Sequence, residues 1–156
     1  MDDVNEPKKI NATAVRMLAM REHSAHELTQ KLINKGYDKL LVHAVLLKLQ
    51  EQGYQSDARF TANLVRTLVT KGQGSIKIQL LLKQHHIDNA LITAELSQYE
   101  HRWDDVLLAL TRKKKSLDMT LKDRAKLQRF LQSRGFPLDK IRQVLRCEIN
   151  DEKFRD

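Results

Sequence analysis

One set of helix signals returns along this chain about every fifty residues, and it limits the available folds more than any other feature. In the first unit an apolar-periodic segment runs from Ala12 to Met20. Ser24 then stands where an N-cap oxygen is wanted, with Glu27 three residues on to complete a capping box. Leu28 and Leu32 follow four apart, Lys35-Gly36-Tyr37 stops the helix, and Asp38 caps a third helix that ends at Gly53. A shift of 50 brings Gly74, Ile78, Leu82 and Ile87 onto Ser24, Leu28, Leu32 and Tyr37, after which Asp88 or Asn89 caps "ALITAELSQY". A shift of 99 brings Asp123, Leu127, Leu131, Arg134-Gly135-Phe136 and Ile141 onto Ser24, Leu28, Leu32, Lys35-Gly36-Tyr37 and Val42. Pro137 falls at the start of the last helix, where its missing N–H costs nothing.

A three-helix pattern at this period predicts an all-α chain of three tandem three-helix repeats in an elongated, curved helical-repeat body. The expected division is a polar N-terminal segment at 1–11, repeats at 12–54, 55–101 and 102–150, and a tail at 151–156. A unit of about fifty residues buries too little surface to stand alone, so the repeats must pack on one another. In the middle repeat Ile76, Ile78, Leu80, Leu81 and Leu82 fall all round their helix, which predicts burial on several sides. Only 5% of residues are aromatic, and Gly and Pro are scarce, which argues against a sheet fold. No apolar run is long enough to span a membrane, and the N-terminus lacks a signal peptide's apolar core. With Cys147 alone there is no internal disulfide, so a cytoplasmic protein is expected, and nothing demands more than a monomer.

The candidate chemistry is thin. "KGQGS" (Lys71 to Ser75) places its lysine before the glycines and follows a helical pattern, whereas a phosphate loop needs G-x-x-x-x-G-K-[ST] between strand and helix. It reads as the turn between two helices. His23 and His26 lack the H-E-x-x-H order of a helical zinc site and are expected to flank a helix cap as solvated side chains. His85-His86 occupies the helix-stop slot filled elsewhere by Lys-Gly or Arg-Gly. Cys147 has Arg142 and Arg146 near it but no histidine or acid in a catalytic relation. Asp104 and Asp105 read as acids near a helix N-terminus. Catalytic residues, metal and cofactor are therefore not expected.

The basic residues are more informative. Of the net charge of +8, residues 102–156 supply +6, with fifteen Lys and Arg against nine Asp and Glu. "RKKK" (Arg112, Lys113, Lys114, Lys115) closes one helix. In the next, Lys122, Lys126 and Arg129 share a face while Leu127 and Leu131 point elsewhere, and Arg142 and Arg146 form a further i, i+4 pair. Such ridges suit phosphates or an acidic protein surface. Trp103 and Phe130 sit in apolar patterns and read as core, so no aromatic residues interleave with the cations and any nucleic-acid binding is expected to be electrostatic.

The stretches "AVRMLAMREHSAHELTQKL" (Ala14 to Leu32), "GYQSDARF" (Gly53 to Phe60), "KGQGSIKIQLLLKQHHI" (Lys71 to Ile87) and "QRFLQSRGF" (Gln128 to Phe136) resemble RecX, the bacterial regulators of the RecA recombinase. The resemblance covers nearly the whole chain. It implies three tandem three-helix repeats and a non-enzymatic inhibitor that binds RecA and the RecA–ssDNA filament, restrains filament growth and suppresses ATP hydrolysis and recombinase activity. It also implies that Lys71 and Lys77 face the filament, and the charge of the third repeat adds the expectation that DNA is contacted directly there. Two other readings stand beside it: a general electrostatic nucleic-acid-binding module, and a helical scaffold for another acidic protein.

Overall fold

A computed structural model describes residues 4–116 and 118–153, with side chains to residue 148. Among these residues the chain forms nine α-helices and no strand. They are α1 (Glu6–Met20), α2 (Ala25–Asn34), α3 (Lys39–Glu51), α4 (Asp57–Thr70), α5 (Ser75–Gln84), α6 (Asn89–Ser97), α7 (Glu100–Lys114), α8 (Leu121–Ser133) and α9 (Leu138–Lys153). Grouped in threes, they are the three tandem repeats expected from the sequence. α1 begins six residues ahead of the apolar periodicity, because Glu6 complements the helix dipole and Pro7 gives up an N–H that no helical carbonyl requires. Ile10, inside the segment expected to be polar, is fully buried. At the other end α9 takes in residues 151–153 of the expected tail. Residues 154–156, like 1–3, lie outside the described residues.

The chain makes two compact units, one holding residues up to Leu64 with Leu82–Leu91, the other Val65–Leu81 with residues from Ile92 onward. In the first unit α3 packs on α1 and α2. Its core is Ile10, Ala14, Leu28, Leu32, Val42, Val45, Leu46 and Leu49. In the second, α9 packs on α7 and α8 over Leu107, Leu127, Leu131, Phe136, Ile141 and Leu145. The aligned apolar slots are all buried: Leu28, Ile78 and Leu127; Leu32, Leu82 and Leu131; Val42, Ile92 and Ile141.

Each unit contains a contact between the start of one repeat's second helix and the end of the next repeat's second helix. In the first unit Ser24 caps α2 by accepting from the Glu27 amide at 3.1 Å. The Glu27 carboxylate does not return to the cap but takes Arg21 at 2.9 Å, so only half of the expected capping box forms. The Ala25 amide donates to the Asp57 carboxylate at 2.8 Å. The same oxygen accepts from the buried Gln55 side chain, which also donates to the His23 carbonyl and accepts from Gln50. Arg59 fixes the surround, donating to Glu22 at 2.8 Å and to the Tyr54 carbonyl at 3.1 Å. Against this cap lies the end of α5. His85 stands 3.4 Å from the Ser24 hydroxyl and tilts against Phe60, while His86 stacks on His26 with ring centroids 3.6 Å apart. His86 has a φ of +56°, so it fills the left-handed stop slot that Gly36 and Gly135 fill in the other repeats. The solvated histidines expected near the cap are not found: His23 is buried and His26 is half-buried under its partner ring.

The second unit repeats the contact in backbone alone. Gly74 is the residue before α5, its amide donates to the Arg134 carbonyl at 2.6 Å, and the Ile76 amide donates to the Gly135 carbonyl at 3.0 Å. A methyl group on Gly74 would be driven into the Gly135 carbonyl, and one on Gly135 into the Lys77 main chain. The second glycine of "KGQG" is thus a site of close backbone approach, which goes beyond turning the chain.

Other expectations are corrected. Ile76 and Leu80 are more than half exposed (52% and 56%), so α5 is not buried on several sides. One stripe, Ile78 and Leu82, packs, and neighbouring repeats meet the helix at its ends. Asp123 does not cap α8: Thr120 does, and Asp123 is the reciprocal member of a full capping box. Asp104 and Asp105 lie beyond the first turn of α7, which starts at Glu100, and Asp104 reaches Lys140 at 3.8 Å.

Two outcomes follow from these contacts. Around Gly36 there is open space and only its φ of +97° resists a side chain, so Gly36→Ala costs about 1 kcal/mol. Gly74→Ala must push apart a pair of backbones and costs roughly 2–3 kcal/mol. Equal shifts in urea midpoint for the two variants would remove the close approach as the reason for Gly74. Burial holds the His23 imidazole below its ordinary value of 6.5, against the weaker opposing pull of its bond to the Arg21 carbonyl. The unfolded chain then binds the proton more readily, so the stability from neutral His23 is present above pH 6.5 and is lost as pH falls through and below it. His23→Asn, which keeps a donor for the Arg21 carbonyl, flattens that region of the pH–stability curve; an unchanged curve would assign the loss to another group.

Candidate nucleic-acid interface

The basic surface of the third repeat is built on three helices whose buried stripes leave their cations outward. α7 turns Leu107 and Thr111 inward, and its last turn carries Arg112, Lys113 and Lys114. The four consecutive charges do not act alike. Glu148, on α9 and only 11% exposed at its side chain, accepts from Lys115 at 2.9 Å and from Arg112 at 3.2 Å. Those bonds, that to Lys115 foremost, hold its carboxyl below the usual range. Arg112 and Lys115 are therefore both engaged by Glu148, whose single negative charge offsets one of their two positive charges. Lys114 lies over the Phe130 ring at 5.1 Å, with Arg134 at 5.3 Å, and Lys113 is exposed. Phe130 is not the core residue its apolar pattern suggests. It is half-buried, packs on the core's edge and turns a face to two cations. Trp103 is likewise half-buried, beside Tyr99.

On α8, Lys122, Lys126 and Arg129 are all exposed and make no ion pair with a described residue, as their shared phase predicts. On α9, Arg142 and Arg146 are exposed and lie one turn apart, about 6 Å along the axis. They line a groove between α8 and α9 together with Arg124, Gln128 and Leu145. Charge runs and shared phase do not single out Arg124. A signal for it is nonetheless present: it sits three residues before Leu127 and seven before Leu131, on the flank of the packed stripe, which points it toward α9 and away from the Lys122 ridge. Lys71, in the turn after α4, is exposed, and Lys77 is half-buried on α5 with its main chain against Gly135. Neither lines the α8–α9 groove.

Comparison with known proteins matches this architecture repeat by repeat. Family models for the first, second and third three-helix domains of RecX match residues 12–49, 56–96 and 103–145. The chain belongs to the RecX family. The regulatory protein RecX of Stenotrophomonas maltophilia (strain K279a) is 36% identical over 140 residues, covering 88% of this chain and 86% of that protein. That of Legionella pneumophila (strain Corby) is 39% identical over 136 residues, covering 86% and 91%. The crystal structure of RecX from Lactobacillus salivarius has a TM-score of 0.82 at 20% identity, over 95% of this chain and 99% of that one, and shows the same fold. The RecX-like motifs "REHSAHEL" in the first repeat and "GYQSDARF" at its junction with the second hold the cap of α2: Arg21 on Glu27, Ser24 on the Glu27 amide, Asp57 on the Ala25 amide, Arg59 on Glu22. They do not belong to the basic surface.

Glu148 supplies a stability test. Its bonded, charged form stabilises the fold above the ordinary carboxylate value of 4.5, and this contribution is lost as pH falls through the lower folded value. Glu148→Gln lowers stability at neutral pH by about 1 kcal/mol, a figure reduced because Arg112 is mostly solvated. In urea titrations the gap between variant and parent closes in acid; a gap that persists there would mean that packing, and not charge, is what Glu148 contributes.

Proposed function

We propose that this chain is a non-enzymatic regulator of the RecA recombinase that acts in the cytoplasm on RecA and the RecA–ssDNA filament. It restrains filament growth and lowers RecA's ATP hydrolysis and recombinase activity during recombination, DNA repair and the SOS response. The observation that carries this reading is family membership along all three repeats, since each RecX three-helix domain has its counterpart here. The exposed Lys122, Lys126, Arg129, Arg142 and Arg146, which make no ion pair with a described residue, support it, because the DNA of such a filament is a dense row of phosphates. Among the described residues no helix is long and apolar enough to cross a membrane, and the curated relatives are named as regulatory proteins.

The same charge favours a second reading, a nucleic-acid-binding module for which RecA is incidental. One experiment separates them. ATP hydrolysis by RecA on single-stranded DNA is followed while this protein is added at far below one copy per RecA. Inhibition at such ratios is expected, because one bound copy affects many subunits of a polymer. Inhibition that appears only when the protein is in excess over DNA sites would mean competition for DNA and would overturn the RecA reading. A variant with Lys122, Lys126 and Arg129 changed to Gln refines the answer. If it loses bare DNA but still inhibits RecA, DNA competition is not the mechanism.

A further inference from the structure

We infer that the groove between α8 and α9 is a dedicated site for the phosphodiester backbone of nucleic acid, held by Arg124, Arg142 and Arg146 with Gln128 between them. It deepens the proposed function by naming where DNA is gripped, and it stands without RecA. Three features of the groove carry it.

First, three guanidinium groups line one groove whose remaining lining residues are neutral. None of the three makes an ion pair with a described residue, although Arg124 is half-buried. The contrast with the end of α7 is informative. There Arg112 and Lys115 converge too, and Glu148 is placed to meet them. In the groove no carboxylate of a described residue answers, so the like charges raise the energy of the free protein until an anion arrives.

Second, the cations are arginines. A guanidinium presents paired donors that match two phosphate oxygens, and it is more weakly hydrated than an ammonium, so it gives up water at lower cost. The exposed ridge on α8 is mostly lysine, which suits long-range attraction more than seated contact.

Third, the groove offers no apolar anchor. Its one hydrophobic lining residue, Leu145, is 2% exposed. An acidic peptide that binds tightly generally buries an aliphatic or aromatic side chain. A polyphosphate needs only repeated charge. Nucleic acid is therefore favoured over an acidic protein segment.

The test uses the full chain and a fluorescein-labelled oligothymidylate, without RecA, across a salt series. Arg142→Gln with Arg146→Gln is compared with Lys122→Gln with Lys126→Gln, which removes the same charge from the exposed ridge. The groove pair is expected to weaken binding by about tenfold per arginine, and to lower the log–log salt slope by about 1.4 through loss of two phosphate contacts. The ridge pair is expected to have a clearly smaller effect. The groove pair should also leave the urea midpoint unchanged or raised, because it relieves repulsion. Equal losses from the two pairs would reduce the groove to a patch in a diffuse field. A fall in midpoint for the groove pair would make the arginines structural. Unaltered DNA binding with lost binding to polyglutamate would assign the groove to an acidic protein. Each of these overturns the site, and none touches the RecA reading, which is decided by ATP hydrolysis.

Discussion

The fold rests on an end-to-end meeting of helices. The first amides of an α-helix lack partners within the helix, as do its last carbonyls, and the two ends carry opposite partial charge. In the second unit these deficits cancel directly: Gly74 and Ile76 at the start of α5 donate to Arg134 and Gly135 at the end of α8. Backbones can come this close only without side chains between them, which accounts for glycine on both sides. In the first unit the same meeting is filled differently. Asp57 takes the Ala25 amide, Ser24 takes that of Glu27, and two histidine rings lie where the backbones would otherwise touch. Glycine is then unnecessary at position 24, and a residue with a ring can stand at 86, although its left-handed conformation costs about 1–2 kcal/mol.

The same economy governs charge in the third repeat. A count of lysines and arginines treats "RKKK" as the strongest feature, yet Glu148 engages two of its members and offsets one of their charges, and a third lies over Phe130. Most of what remains open to a partner is the ridge of α8 and the arginines of α9. Sequence proximity of charges thus overstates the first group and understates the second, since α8 and α9 bring Arg124, Arg142 and Arg146 together only after folding.

Much of the fold is legible in the sequence because buried positions recur. Leu28, Leu32, Gly36, Tyr37 and Val42 set a template, and its counterparts fall in the expected places, including the histidine at a glycine slot. The departures have a common origin. Sequence pattern alone makes His23 solvated, Phe130 core, and Ile76 and Leu80 buried, and in each case residue type stands in for environment. His23 is buried (3% exposed) beside Gln55, which donates to its carbonyl from thirty-two residues further along the chain; exposure of Ile76 depends on neighbours meeting α5 at its ends and not its flank. Local pattern carries neither. The ridge at Lys122, Lys126 and Arg129 is legible because helical phase alone decides it. Arg124 needs the same phase read as direction, toward a helix whose place only the fold supplies.

Three repeats with the same buried template differ mainly in what they show to solvent. The first and second carry a net charge of about +1 each, the third +6. Of the eight large apolar side chains that are exposed among the described residues, six belong to the first two repeats: Met20, Leu40, Leu47, Tyr54, Ile76 and Leu80. Selection for stability alone would not separate the two kinds of surface, since any exposed position tolerates charge. Apolar exposure suits a protein surface and unpaired arginine suits phosphate. Under the proposed function the partner is protein wound on DNA, and a chain of repeats that presents apolar residues at one end of its sequence and cations at the other offers a matching surface to each component.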